Sequence, residues 1–209
     1  MTVTIGITGG IGSGKSQVVS LLETYGMTSY IADRESKRLA ATLPAIRERL
    51  TALLGEDIYG ADGLNRRRMA SLIFRDPSLL TQVNAIIHPE VARHFSEWVA
   101  RQSAPWAVLE SAILFESRFD RQVDWRVTVC APGMLCLQRV MVRDGLTETE
   151  VRRRMENQWT DEVKKAKSDY VVYNDEKQAL IPQIERLVKS LSEKRAGAPD
   201  IFPDGHAPY

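Results

Sequence analysis

The chain has 209 residues, 44% of them hydrophobic, which is enough for a sizeable core and for one globular unit with insertions. Its 28 Lys and Arg against 27 Asp and Glu leave a net charge of +1, so nothing pulls it globally toward nucleic acid or an anionic membrane, and neither is an expected partner. No apolar run approaches the roughly 18 residues of a membrane helix, and no basic-then-apolar leader opens the chain, so the expected compartment is the cytoplasm. Oligomeric state is left open. Cys130 and Cys136 fit neither a redox pair nor a zinc half-site and read as reduced packing residues.

In chain order, "VTIGIT" (3–8) reads as a buried strand, "KSQVVSLLETYG" (15–26) as a helix stopped by Gly26, and "SYIAD" (29–33) as a second strand. Strand, glycine loop, helix and strand open an α/β fold. Residues 34–102 read as helical pieces without a convincing strand, with "GEDIYGADG" and "RDP" as turns. That is far longer than an ordinary βα connection and implies an insertion. Within it His88-Pro89 marks a break, with proline opening a new helix. "WAVLE" (106–110) and "WRVTVC" (125–130) return to the sheet, and "MLCLQRVMVRDG" (134–145) is a helix. Thr147 and Glu150 form a capping box that starts another. "DYVVYN" (169–174) is a last strand, followed by a closing helix and a Pro- and Gly-rich tail expected to be flexible. The expected organisation is therefore a core of residues 1–38, 103–133 and 166–195, a helical insertion 39–102, a segment 134–165 and a tail 196–209.

Gly9 to Ser16, "GGIGSGKS", matches the phosphate-loop pattern G-x-x-x-x-G-K-[ST] with a strand before it and a helix after it. Glycines let the backbone wrap closely, so the N–H groups of Gly10, Ile11, Gly12, Ser13 and Gly14 can point at phosphate oxygens, helped by the positive end of the helix. Lys15 would reach the β- and γ-phosphates and Ser16 would ligate Mg²⁺. The expected fold is thus a P-loop three-layer sandwich with a parallel sheet core. No Asn-Lys-x-Asp motif follows a later strand, which counts against a GTPase. A small core with a long helical insertion and arginine-bearing helices is the layout of a small-molecule kinase, in which a lid excludes water.

Arg139 and Arg143 lie four apart, as do Arg154 and Gln158, so each pair shares a helix face that either serves a triphosphate or simply meets water. Asp33, at the end of the second strand, suits a base for an attacking hydroxyl, or else an N-cap. Glu110 stands where an acidic residue supports Mg²⁺ or its water, or else is a surface carboxylate. His88 either offers an imidazole to a phosphate-bearing acceptor or merely precedes a helix start.

Together these stretches resemble the dephospho-coenzyme A kinase family over about residues 3 to 190. The resemblance rests on "ITGGIGSGKS", Asp33 in "YIADRESKRL", "GLNRRRMASLIF" with Arg66, "IIHPEV", "LESAILFE", "LQRVMVRDG", "RMENQ" followed by Lys164, and "SDYVVYND" with Asn174. It implies transfer of the γ-phosphoryl of ATP, with Mg²⁺, to the ribose 3′-hydroxyl of dephospho-CoA. It further implies Asp33 as base, Lys15 and Ser16 on phosphate and metal, and Arg143 on the transition state. Arg139 and Asn174 would serve the nucleotide, and Asp33, Arg66, His88 and Glu110 the acceptor. The insertion would bind the acceptor and residues 134–165 would form the lid. The chain departs from the family pattern at Ile31, where an aspartate is frequent, at Gln17, commonly threonine, and at Ala112, usually proline. A nucleoside or nucleotide kinase and a nucleotide-binding regulator remain as alternatives.

Overall fold

A computed structural model of the chain describes residues 2–193. The tail from residue 196, expected to be flexible, lies outside them. The chain divides into two compact units, Met1–Tyr30 with Val99–Tyr209, and Ile31–Trp98.

Strand β1 (Val3–Thr8) runs through the glycine loop into α1 (Lys15–Thr24), and β2 (Thr28–Ile31) follows. The second strand stops two residues before Asp33, because the chain turns directly into α2 (Ala32–Thr42). Asp33 is therefore neither strand-end nor N-cap. It stands in the first turn of α2 with Glu35, where a carboxylate complements the positive end of the helix.

The unit Ile31–Trp98 continues with α3 (Pro44–Leu54), opened by its proline at the first turn. A hairpin of two short strands, β3 (Tyr59–Gly60) and β4 (Gly63–Leu64), stands where the sequence suggested only a turn. Buried Leu39 and Ala40 of α2 and Ile46, Leu50 and Leu54 of α3 follow helical spacing, Ile58 and Tyr59 are buried just beyond α3, and the Tyr59 hydroxyl donates to the Ala40 carbonyl at 2.6 Å. Helix α4 (Arg66–Arg75) is capped by the Asn65 side chain and buries no residue. Helix α5 (Pro77–Ala100) then runs unbroken through Pro89, against the expected break at His88-Pro89. Proline removes one donor and crowds one carbonyl. Burial of Val83, Ile86, Ile87, Val91 and Phe95, one stripe at 3.6-residue spacing, outweighs that loss.

The chain re-enters the sheet as β5 (Trp106–Glu110) and β6 (Trp125–Cys130). It then forms α6 (Gly133–Asp144), α7 (Glu148–Glu156) and α8 (Asp161–Ala166). The Thr147–Glu150 capping box at the start of α7 is present in both directions. Strand β7 (Tyr170–Tyr173) and α9 (Leu180–Glu193) complete the described chain.

Among the described residues the main sheet has five strands in the order β2-β5-β1-β6-β7, with β5 and β6 both parallel to β1 and β7 parallel to β6. All six residues of β1 are buried. Because successive side chains face opposite sides, both faces of the sheet are covered, giving three layers. The chain leaves β1 toward β5 and β2 on one side and returns across it to β6 and β7 on the other. The carboxyl end of β1 is thus the switch point where open α/β sheets hold ligands, and the glycine loop begins there.

Candidate active site

Gly14 caps α1 with φ 90°, and a Cβ on it would lie 2.0 Å from the Asn174 amide nitrogen, so only glycine fits. Gly12, at φ 81°, is pressed against the Cys136 carbonyl, which a Cβ would approach to 2.5 Å. No side chain caps α1, so its first N–H groups stay directed at the loop, as an anion site requires. Lys15 is buried, and its ammonium donates to the Gly9 and Gly10 carbonyls, both at 3.1 Å. The Ser13 hydroxyl is fully buried and has no hydrogen-bond partner among the described residues.

Asn174 is used on the loop itself. Its amide donates to the Ser13 carbonyl and to Gln17 Oε1, each at 3.0 Å, so the unusual Gln17 closes a local network. Arg139 donates to the Asn174 carbonyl at 3.2 Å and to Glu176 at 3.0 Å, which ties α6 to the end of β7. Arg143 is exposed and forks onto Asp144 at 2.7 and 3.1 Å, and Arg154 reaches the same carboxylate at 3.5 Å. This pairing holds the Asp144 carboxyl below the usual range. Arg154 and Gln158, predicted to share a helix face, do not: α7 ends at Glu156, and Gln158 lies two residues beyond it. Gln158 Oε1 accepts from the Ile11 N–H at 2.9 Å.

A cavity of about 530 Å³ lies beside the loop, lined among others by Gly10, Ile11, Cys136, Gln158 and Asp161. Burial pushes the Asp161 carboxyl up, and its oxygen lies 3.6 Å from where a Cβ on Gly10 would be. The cysteines are buried and unpaired, and burial pushes the Cys130 thiol up to about 12, so both are packing thiols rather than thiolates. Glu110 ends β5 half-buried.

The remaining predicted residues belong to the unit Ile31–Trp98. Asp33 is exposed on α2, and Arg66, first residue of α4, donates to the Lys37 carbonyl of α2 at 3.4 Å. His88 is half-buried on α5, and burial lowers its pKa.

A family model for dephospho-CoA kinase matches residues 3–179. The chain belongs to the dephospho-CoA kinase family. It is 42% identical over 195 residues to the dephospho-CoA kinase of Bacteroides fragilis, covering 93% of this chain and 95% of that one. The solved protein TT1252 from Thermus thermophilus superposes with a TM-score of 0.79 at 33% identity, over 94% of this chain and 99% of that one. The solved dephospho-CoA kinase of Campylobacter jejuni shares the fold, with a TM-score of 0.64 at 20% identity over 94% and 99% of the two chains. Dephospho-CoA kinases catalyse the last step of coenzyme A biosynthesis with ATP as co-substrate, and this member is accordingly a phosphotransferase with an alcohol group as acceptor.

Three residues near this kinase loop carry contacts that sequence reasoning missed. Lys164 is fully buried, its ammonium donating to the Ala112 carbonyl at 2.6 Å and lying 3.3 Å from Glu116. Gln158 holds Ile11 as described. All three stood in quoted motifs, but partners 48 to 147 residues away leave no periodic signal. No helix among the described residues is long and apolar enough to cross a membrane. Nor does any group of three or more His, Cys, Asp or Glu among them form a metal cage. Mg²⁺ held mainly by phosphate oxygens and water asks for only one or two protein oxygens, and the exposed Ser16 hydroxyl in the first turn of α1 meets that demand.

Proposed function

We propose that this kinase transfers the γ-phosphoryl of ATP to the ribose 3′-hydroxyl of dephospho-CoA, with residues 134–165 as its lid and residues 39–102 as its acceptor-binding insertion. The observation that carries the donor half is the loop itself. Gly9, Gly12 and Gly14 stand at positions no larger residue could take, at the sheet's switch point, with the Lys15 ammonium already turned inward. Lys15 exchanges its carbonyl partners for β- and γ-phosphate oxygens. The N–H groups of Gly10, Gly12, Ser13 and Gly14 cradle the chain of phosphates. Arg139 and Arg143 balance the charge that spreads over the transferring group. Ser16 would hold Mg²⁺, which when bound neutralises charge between the β- and γ-phosphates. Asp33 takes the proton of the attacking hydroxyl, Arg66 and His88 hold the acceptor, and Glu110 supports it. The reducing cytoplasm suits two unpaired thiols.

Comparing ATP consumption with dephospho-CoA, AMP and nucleosides as acceptors tests this reading. Turnover with dephospho-CoA and little with the others is expected. Preference for AMP or a nucleoside would replace the acceptor, and acceptor-independent hydrolysis would replace the class.

A further inference from the structure

We propose that Gln158 is a positioning residue for the phosphate loop, delivered to it by the ion pair of buried Lys164 with half-buried Glu116. The inference deepens the kinase reading and rests on it for its kinetic consequence, but its structural half stands alone.

Ile11 is held from two directions by the segment 134–165. Its side chain packs against a buried cluster of Leu137, Val140 and Val151, shared with Met141, Leu146 and Met155. Its N–H donates to Gln158 Oε1 at 2.9 Å. The next residue is fixed as firmly: the Trp159 N–H donates to Glu116 Oε1 at 2.8 Å, and the Trp159 ring stacks on Phe115 with centroids 6.3 Å apart. The same Glu116 oxygen lies 3.3 Å from the Lys164 ammonium, which also donates to the Ala112 carbonyl at 2.6 Å.

Ala112 and Glu116 follow β5, and the loop follows β1. These strands are neighbours in register, Ile7 opposite Glu110. Residues 158–164 therefore form a strap across the exits of two adjacent strands, one end on each. Burying a lysine ammonium is unfavourable unless it is paired and hydrogen-bonded, and such a pair enforces one geometry because each alternative leaves a charge unmet. Here the enforced geometry is the one that brings the Gln158 amide to Ile11. With that N–H occupied and the side chain packed, Ile11 has no freedom to turn, and the following N–H groups keep their inward curve.

Backbone amide exchange in the ligand-free protein reads this without any turnover. In Gln158→Ala the Ile11 amide should exchange about tenfold faster or more, while those of Ile5 and Ile7 in β1 stay as in the wild type. Gln158→Glu, which keeps an acceptor oxygen of the same reach, should restore slow exchange. In turnover, Gln158→Ala should raise KM for ATP about three- to tenfold with kcat within about twofold. An unchanged Ile11 exchange rate overturns the proposal, and a fall in kcat with KM unchanged overturns the positioning role in favour of a transition-state contact. Because either member of the anchor alone leaves a buried charge, it is tested by the double variant Lys164→Met with Glu116→Gln. Faster Ile11 exchange there supports delivery, and an unchanged rate removes the anchor from the proposal. Absence of turnover with dephospho-CoA in the wild type would remove the function reading while leaving the exchange results to decide the strap.

Discussion

Lys15 is 8% exposed with two carbonyls on its ammonium, whereas Arg66 stands exposed at the start of a helix that buries nothing, with one long bond to a carbonyl. The contrast extends to their surroundings. Beside the loop, the fully buried Lys164 ammonium is paired with the half-buried Glu116 carboxylate and the Ala112 carbonyl. In the unit Ile31–Trp98 the ion pairs of Arg68 with Asp57 and of Arg93 with Glu90 and Glu97 sit at the surface. The proposed donor half is built into the backbone, while the residues proposed for the acceptor are side chains, Asp33, Arg66 and His88 on helices and Glu110 at the end of β5. Chemistry is thus expected to fail sharply, and stability hardly at all, when an acceptor-side residue is changed.

Asp33 gives the largest expected effect. Asp33→Asn should lower kcat about 10²- to 10⁴-fold, since a positioned base contributes that much to proton transfer. The folded state should barely notice, because one charge in the first turn of a helix is worth about 0.3–1 kcal/mol. Steady-state kinetics with dephospho-CoA, beside calorimetric titration of ATP, separate the two. An unchanged kcat would remove Asp33 from the chemistry and reduce it to a helix-terminus charge.

Stability should show the reverse contrast. Lys164→Met leaves the 15%-exposed Glu116 without its cation, and one of its oxygens already has no partner among the described residues. Breaking such a pair from one side costs about 3–5 kcal/mol. Arg68→Ala, which removes an exposed partner of Asp57, should cost no more than about 1 kcal/mol. Denaturant unfolding of both variants at one pH measures this directly. Equal losses would mean that the buried pair is no more decisive than a surface one.

The same division decides what could be read from the residues alone. The loop was legible because its chemistry is local: strand, glycines, lysine and helix follow one another without interruption, and the capping box at Thr147 and Glu150 is likewise contained in four residues. Asp33 was misplaced by two residues because a strand that passes straight into a helix, with no capping side chain at Ile31, leaves no punctuation. The break at His88-Pro89 was misread because the apolar stripe on both sides of Pro89 is continuous, and burial overrides the lost backbone bond. Lys164 offered the opposite of its role, since lysine on a short helix is ordinarily a solvated residue. Gln158 and Ile11 are 147 residues apart, and only the fold brings them together.

The smallest expected effect belongs to His88, and its sign follows from burial. Burial disfavours the imidazolium, so the folded-state pKa lies below the ordinary 6.5. Well above 6.5 the imidazole is neutral in both states and contributes no pH dependence. As pH falls through 6.5 the unfolded chain takes up a proton that the folded chain resists, so stability is lost from there down to the folded pKa, and levels off below it. His88→Asn removes the titrating ring. Unfolding measured at pH 8 and pH 5.5 should therefore show a smaller acid-side loss in the variant than in the wild type. A loss of equal size in both would mean that the imidazole is as well hydrated in the fold as in the open chain, and that its place on α5 is a surface one after all. A bound phosphate-bearing acceptor would favour the cation and raise the pKa of the ring, so dephospho-CoA should shrink the wild-type loss and leave the variant unchanged.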